Sequence, residues 1–332
     1  MDYGGNHLAQ KVLLFGDIGI DDTVALIYAY LNDEIDVVGV VADYGNISRE
    51  NALANISYVK DIMSSKKIEN VKIFTGSEVP MTGELPEYVP EIHGEYGLGP
   101  IIPPMAGQIN VNENFLEVVD IIKEHQDELL IVNIGRLTSL ATLFILYREL
   151  MGKVKGFYIM GGAFWVPGNV TAVSEANFHG DPVAAQVVLT YAENVTIIPL
   201  NVTLQAIVTP QMVDYIDSVG EIDIVKPLID YYYAFYKKRN PNVQGSPLHD
   251  VLTLMATIHE DMFTFQYLPV VIVQSQTGIA RGQSIADIRP FVTIAEVEKE
   301  AEEEVQRHRI AFEMDYKKFY TDFMTIMTGQ RF

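Results

Sequence analysis

Three aspartates, Asp17, Asp21 and Asp22, stand within six residues directly after an apolar run. Carboxylates that close repel one another, so the arrangement is unfavourable unless a cation or hydrogen-bond donors compensate. The loop holds no lysine or arginine, and Gly19 permits the tight turn it needs. A hard cation held by oxygen suits this pattern; the plainer reading is that Asp21 or Asp22 caps the helix that follows. A second group runs from Met160-Gly-Gly162 through Gly168-Asn169 to Glu175-Ala-Asn177. Its amide and carboxylate side chains suit sugar hydroxyls, or form an ordinary polar loop. The third is His249-Asp250, opening an apolar helical run over 251–258. Asp250 either caps that helix or completes a metal cage beside an imidazole able to donate a proton near neutral pH. Tyr232 and Tyr236 form an aromatic wall or belong to the core.

The elements that must position these groups are legible as apolar runs. Residues 11–15, 35–41, 71–74, 129–132, 157–160 and 195–199 read as buried strands, with helical patterns over 22–31 and 50–63 between the first three. Continuous apolar strands separated by helices predict a mostly parallel sheet with helices on both faces, in a single α/β domain over residues 1–332. Such sheets bind ligands at the carboxyl ends of their strands, where the three groups fall. Residues 1–10 read as an N-terminal extension. The regions 94–110, rich in Gly and Pro at its start, and 220–248 read as loop and helix near the site. Six glutamates in nine residues over 296–304 read as a solvated turn or helix.

Composition narrows the chemistry further. The 332 residues contain no cysteine, which excludes a disulfide, a thiolate nucleophile and a cysteine-ligated metal. Any metal is therefore held by oxygen or imidazole. With 23 basic and 44 acidic residues the formal charge is −21, which repels nucleic-acid backbones and anionic lipid but not a neutral small molecule. The start of the chain lacks the apolar core of a signal peptide and no window reads as a membrane span, so the expectation is a cytoplasmic protein.

Taken in order, Asp17-x-Gly-x-Asp-Asp22, Gly45-Asn46, His93-Gly94, Gly135-x-Leu-Thr138, Met160-Gly-Gly162, Gly168-Asn169, Glu175-x-Asn177 and His249-Asp250 resemble the inosine–uridine-preferring nucleoside hydrolase family over about residues 11 to 320. The resemblance implies an open mixed α/β sheet related to dinucleotide-binding folds, assembled as homo-oligomers (dimers or tetramers). It implies Ca2+ on Asp17, Asp22, Asp250 and the main-chain carbonyl of Ile134. Asp21 would bind a ribose hydroxyl, and Asn46 would support the cage or the sugar. Asn169, Glu175 and Asn177 would grip the remaining hydroxyls. His93, His249, Tyr232 and Tyr236 match positions around the base and leaving group.

Some positions depart from the family pattern. Phe15 stands where many members carry an acidic or amide residue, Ile18 replaces a common proline, Ile134 a common threonine and Ala176 a frequent aromatic. Trp165, the only tryptophan, is a candidate to stack on a base.

The expected reaction is hydrolysis of the N-glycosidic bond of a free ribonucleoside to ribose and base, with Asp17 as general base and His249 protonating the leaving group. The His249-Asp250 pair points to the broad or pyrimidine-leaning branch. The rival from another class is a binding protein of the same fold without turnover. An aspartyl-phosphate phosphatase would need a second acid where Gly19 stands, and a metal-dependent response regulator does not fit the length or the later motifs.

Overall fold

Val12 and Leu14 pack into one apolar layer and Leu13 and Phe15 into another, all fully buried. The alternation follows from the two-residue period of a strand. It requires cover on both faces, worth about 1.5–3 kcal/mol for each large side chain. In the computed structural model, which describes residues 9–63, 68, 70–104 and 114–332, this strand is β1, Gln10–Gly16. The expected extension up to residue 8 and the 105–110 part of the 94–110 region lie outside the described residues.

The remaining strands are β2 (Ile35–Ala42), β3 (Lys72–Thr75), β4 (Leu130–Asn133), β5 (Gly156–Met160), β6 (Val195–Ile198), β7 (Ile207–Val208), β8 (Ser246–Pro247), β9 (Phe263–Ile272), β10 (Ser284–Ala286) and β11 (Arg307–Met314). Nine of them form one sheet in the order β10-β9-β11-β6-β5-β4-β1-β2-β3. From β11 to β3 every pairing is parallel, and β9 runs antiparallel to β11 and β10. The sheet is the mostly parallel α/β architecture expected, with a mixed edge that the apolar runs did not reveal. Strand β9 alternates exposure near its start instead of being buried throughout.

Thirteen helices surround the sheet among the described residues: α1 (Ile20–Leu31), α2 (Arg49–Ile62), α3 (Pro90–His93), α4 (Val118–His125), α5 (Thr138–Met151), α6 (Ala176–Gly180), α7 (Pro182–Tyr191), α8 (Leu200–Thr203), α9 (Pro210–Val219), α10 (Val225–Arg239), α11 (His249–Met255), α12 (Ile294–Ala301) and α13 (Tyr316–Thr328). The glutamate-rich segment is largely α12, opened by a Thr293–Glu296 capping box and solvated on most of its surface.

Topology fixes the site. From β1 the chain moves to β2 and β3 on one side, then returns to β4 on the other. The crevice beyond the carboxyl ends of β1 and β4 is therefore the switch point of the sheet. Helix α1, buried from Ile20 to Ala29, starts in this crevice and packs against α10 and α11, whose residues complete the site.

Candidate active site

Asp17 lies in the turn between β1 and α1, while Asp21 and Asp22 occupy the first turn of α1, where the helix dipole favours negative charge. Asp250 sits in the first turn of α11. All four carboxylates are buried, at 6 % exposure or less. Ligand atoms of Asp21, Asp22 and Asp250 lie within 4.8 Å of one another. Asp22 Oδ1 has no hydrogen-bond partner among the described residues. An orphaned, buried oxygen on a carboxylate clustered with two others is what a hard cation satisfies, so these residues fit a metal ion.

Asp17 is held differently. Its Oδ2 accepts from the Asn46 amide at 2.6 Å and from Arg136 Nη1 at 2.9 Å, and its Oδ1 accepts from Asn46 Nδ2 at 3.2 Å. Asn46 Nδ2 also reaches Asp22 Oδ2 at 3.2 Å, so this residue braces two acids from the end of β2. Burial raises the pKa of each acid. Asp21 is pushed up to about 7 by burial and then by the Asp17 charge, while Asp22 and Asp250 are held well above the usual carboxylate range, chiefly by burial. Asp17 is also raised by burial, against the lowering pull of Arg136.

Arg136 is the residue the sequence reading missed. It follows β4, 119 residues from Asp17, and supplies the cation that the aspartate loop lacks. Its signal was the charged residue inside Gly135-Arg-Leu-Thr138, directly after a buried strand end. Nη1 also donates to Asn177 Oδ1 at 2.9 Å. Asn177 Nδ2 in turn donates to the Ile134 carbonyl at 3.0 Å and the Met160 carbonyl at 3.1 Å. The Ile134 carbonyl thus faces the site while already accepting one hydrogen bond.

Glu175, the N-cap of α6, accepts from the backbone amides of Asn177, Gly162 and Phe178 at 2.7 to 3.1 Å. Asn169 is exposed and binds the Ala176 amide through Oδ1 at 2.9 Å. On the other side, the Tyr232 hydroxyl donates to Asp21 Oδ2 at 3.3 Å and lies 3.2 Å from that of Tyr236. His93 Nδ1 accepts from the Ile20 amide at 2.9 Å, and its ring lies against Tyr232. His249 Nδ1 is 2.8 Å from Thr203 Oγ1, a contact that the sequence did not signal, and Nε2 is 3.4 Å from the Tyr236 hydroxyl. Burial pushes His93 down to about 3 and His249 to about 4, so both rings are neutral at pH 7.

These groups enclose a cavity of about 120 Å³ that Asp21, Asn46, His93, Ile134, Asn169, Glu175, Asn177, Tyr232, Tyr236, His249 and Asp250 all line, together with Arg136. Asp17 and Asp22 support it from behind. A larger cleft of about 520 Å³ beside Tyr231 and Phe235 has Glu91 as its single carboxylate, so size does not pick out the site. Trp165 does not reach the cavity; it stacks on Phe312 with ring centroids 5.2 Å apart. Phe15 is buried in the apolar layer, and Ile18 bends the loop at φ +28°, a value that a proline ring cannot adopt.

The family described as inosine-uridine preferring nucleoside hydrolase matches residues 12–321. This chain belongs to that family. It is a nucleoside hydrolase by descent, an enzyme class that cleaves N-glycosyl bonds. It is 30% identical over 288 residues to uridine nucleosidase 1 of Arabidopsis thaliana, covering 86% of this chain and 84% of that one. Against the inosine-uridine preferring nucleoside hydrolase of Crithidia fasciculata it is 28% identical over 322 residues, with 94% and 96% covered. Among solved structures, the purine-preferring ribonucleoside hydrolase from Gardnerella vaginalis superposes with a TM-score of 0.84 at 26% identity, covering 96% and 98% of the two chains. The named relatives thus include enzymes described by uridine, by inosine–uridine and by purine preference. No helix among the described residues of this nucleoside hydrolase is long and apolar enough to cross a membrane.

Proposed function

We propose that this enzyme hydrolyses the N-glycosidic bond of free ribonucleosides to ribose and base, with calcium as its cofactor and a broad or pyrimidine-leaning preference. The observation that carries the reading is the buried group Asp21, Asp22 and Asp250, of which Asp21 and Asp250 line a cavity walled by sugar-type and base-type side chains. The names of the Arabidopsis relative and of a pyrimidine-specific ribonucleoside hydrolase from Klebsiella pneumoniae, 28% identical over 316 residues, support the preference.

As the family resemblance implies, Asp17, Asp22, Asp250 and the carbonyl of Ile134 would hold the ion, leaving Asp21 to a ribose hydroxyl. The carboxylates that lie within 4.8 Å of one another are Asp21, Asp22 and Asp250, while Asp17 pairs with Arg136, so Asp17 would have to share its carboxylate with that guanidinium. An all-oxygen donor set of this kind suits calcium. When bound, calcium supplies positive charge that orients the ribose diol and acidifies the attacking water. Asp17 accepts the proton as water attacks the anomeric carbon, a contribution on the order of 10²- to 10⁴-fold. Positive charge that develops on the ribose ring is stabilised by the buried carboxylates. Asn169, Glu175 and Asn177 hold the remaining sugar hydroxyls. His249, a neutral ring held down at about 4 by burial, would offer its Nε2–H as a hydrogen bond to the departing base rather than the full proton expected from the sequence. Thr203 fixes the ring through Nδ1, and His93, Tyr232 and Tyr236 form the rest of the base pocket.

The test is release of reducing sugar from uridine, cytidine and inosine, with and without a calcium chelator. Turnover abolished by chelation and restored by calcium is expected, with uridine at or near the top of the ranking. Asp17→Asn should lower kcat about 10²- to 10⁴-fold with nucleoside binding retained. Folded, calcium-loaded protein that binds nucleosides and turns none over would establish the binding-protein alternative instead.

A further inference from the structure

Thr203 and His249 stand 46 positions apart, and the small two-stranded sheet brings them together. Strands β7 and β8 pair antiparallel, with Val208 opposite Ser246 and Ile207 opposite Pro247. The ladder runs on through the Leu248 amide, which donates to the Ala206 carbonyl at 3.0 Å. An antiparallel ladder sets the segments that flank it side by side. The last residue of α8, Thr203, therefore meets the first residue of α11, His249, with Oγ1 2.8 Å from Nδ1. His249 lines the cavity; Thr203 is fully buried behind it.

The direction of this hydrogen bond follows from what else the hydroxyl can reach. Among the described residues, His249 Nδ1 is the only partner of Thr203 Oγ1. A hydroxyl has one hydrogen to give, and a neutral imidazole has one donor nitrogen and one acceptor. If Nδ1–H were the donor, the hydroxyl hydrogen would be buried without an acceptor, a costly arrangement. If the hydroxyl donates, only lone pairs go unfilled, which costs less. Nδ1 thus accepts, and the ring hydrogen sits on Nε2 at the cavity wall. A carboxylate in place of Thr203 could only accept, and would leave a bare Nε2 facing the substrate. The Tyr236 hydroxyl, 3.4 Å from Nε2, is beyond ordinary hydrogen-bond length and leaves that N–H open to a ligand.

From this geometry we infer that Thr203 is a positioning residue for departure of the base: by donating to Nδ1 it holds His249 as an Nε2–H donor to the leaving group. The inference rests on the nucleoside-hydrolase reading above and deepens it. As the C1′–N bond breaks, its electron pair goes to the base, and the Nε2–H hydrogen bond stabilises the charge that gathers there. The base then takes its proton from water, and none leaves the ring. Thr203 therefore matters in proportion to the help that a leaving group needs.

The test uses the calcium-loaded full chain. NMR of the histidine ring nitrogens is expected to show the His249 hydrogen on Nε2, with His249→Gln identifying the signals. Thr203→Val replaces the hydroxyl by a methyl group of similar size. It should lower kcat for uridine at least about tenfold with KM within about threefold, and leave p-nitrophenyl riboside, whose leaving group departs unaided, within about threefold of the parent. Thr203→Ser, which keeps the hydroxyl, should restore uridine turnover to within about threefold. A His249 hydrogen on Nδ1 in the parent would overturn the inference without any variant. Equal losses on both substrates in Thr203→Val, no loss on uridine, or a Thr203→Ser enzyme no better than Thr203→Val would overturn it too. In each of these cases the parent still cleaves uridine and the nucleoside reading stands. Failure of the parent to cleave any of uridine, cytidine and inosine would overturn that reading, and this inference with it.

Discussion

At the scale of single residues, the arrangement most open to test is the competition for Asp17. Under the proposed function, Arg136 and the calcium ion would both be cations drawn to one group of acids. Two positive charges a few ångströms apart repel by several kcal/mol even at an effective dielectric of about 20. The guanidinium lets the metal-free protein bury Asp17, since a buried charge without a partner is strongly destabilising. It must weaken the ion for the same reason. Arg136→Met is therefore expected to bind calcium about tenfold more tightly, the equivalent of about 1.4 kcal/mol, while its metal-free form loses stability. Calorimetric titration of chelator-stripped protein measures the first effect and thermal unfolding the second. Unchanged or weaker calcium binding would show that Arg136 does not oppose the ion. The aspartates themselves were legible because close like charges are anomalous in any sequence. Arg136 was not, because its partner lies 119 positions away and only the return of the chain to β4 brings them together.

Elements turn these side chains into a site, and glycines set how closely the elements approach. A Cβ on Gly45 would fall inside the Asp17 carboxylate, and one on Gly19 would meet the His93 ring and Asn46. The β2 loop can thus press its Asn46 amide onto Asp17 only because Gly45 has no side chain. Gly45→Ala is expected to retain the fold, since the sheet is assembled from buried strands elsewhere, and to lose more than about a hundredfold in kcat/KM through displacement of Asp17. Far-ultraviolet circular dichroism and the nucleoside assay separate the two effects; activity within about threefold of the parent would mean that the loop yields at no cost. The inner strands were readable because a parallel sheet needs unbroken apolar runs. The antiparallel pair β9 and β11 was not, since β9 breaks that pattern with exposed positions and tertiary pairing decided its state. Tyr232 and Tyr236, at helical spacing, read more readily as core than as site until the family resemblance placed them around the base. The structure shows α10 laying them along the cavity, while Asp230 of the same helix pairs with Lys226 at 2.9 Å and takes no part.

The whole molecule carries a formal charge of −21 and buries acids whose pKa values are raised, and the two properties act together on stability. Asp21 is pushed up to about 7, chiefly by burial and then by Asp17; Asp43, below the same crevice, is also pushed up to about 7, chiefly by burial. Both carboxyls have their ordinary value of 3.8 in the unfolded chain. Between these values the folded chain binds more protons than the unfolded chain, so stability of the metal-free protein falls as pH rises from about 4 to 7. The proposed calcium ion would reverse part of that loss, because it would bind the ionised carboxylates of the folded state and compete with protons for them. At a hundred times its dissociation constant a ligand adds about 2.7 kcal/mol, and each kcal/mol raises Tm by roughly 2–4 °C in chains approaching this size. Chelator-treated protein is therefore expected to melt lower at pH 8 than at pH 5. Saturating calcium should raise Tm by about 5 °C or more at pH 8 and by clearly less at pH 5, where protons already neutralise part of the site. Magnesium at the same concentration is the control for ionic strength, since it demands a smaller octahedral shell. A calcium shift equal at both pH values, or matched by magnesium, would mean that the buried acids are not where the ion acts.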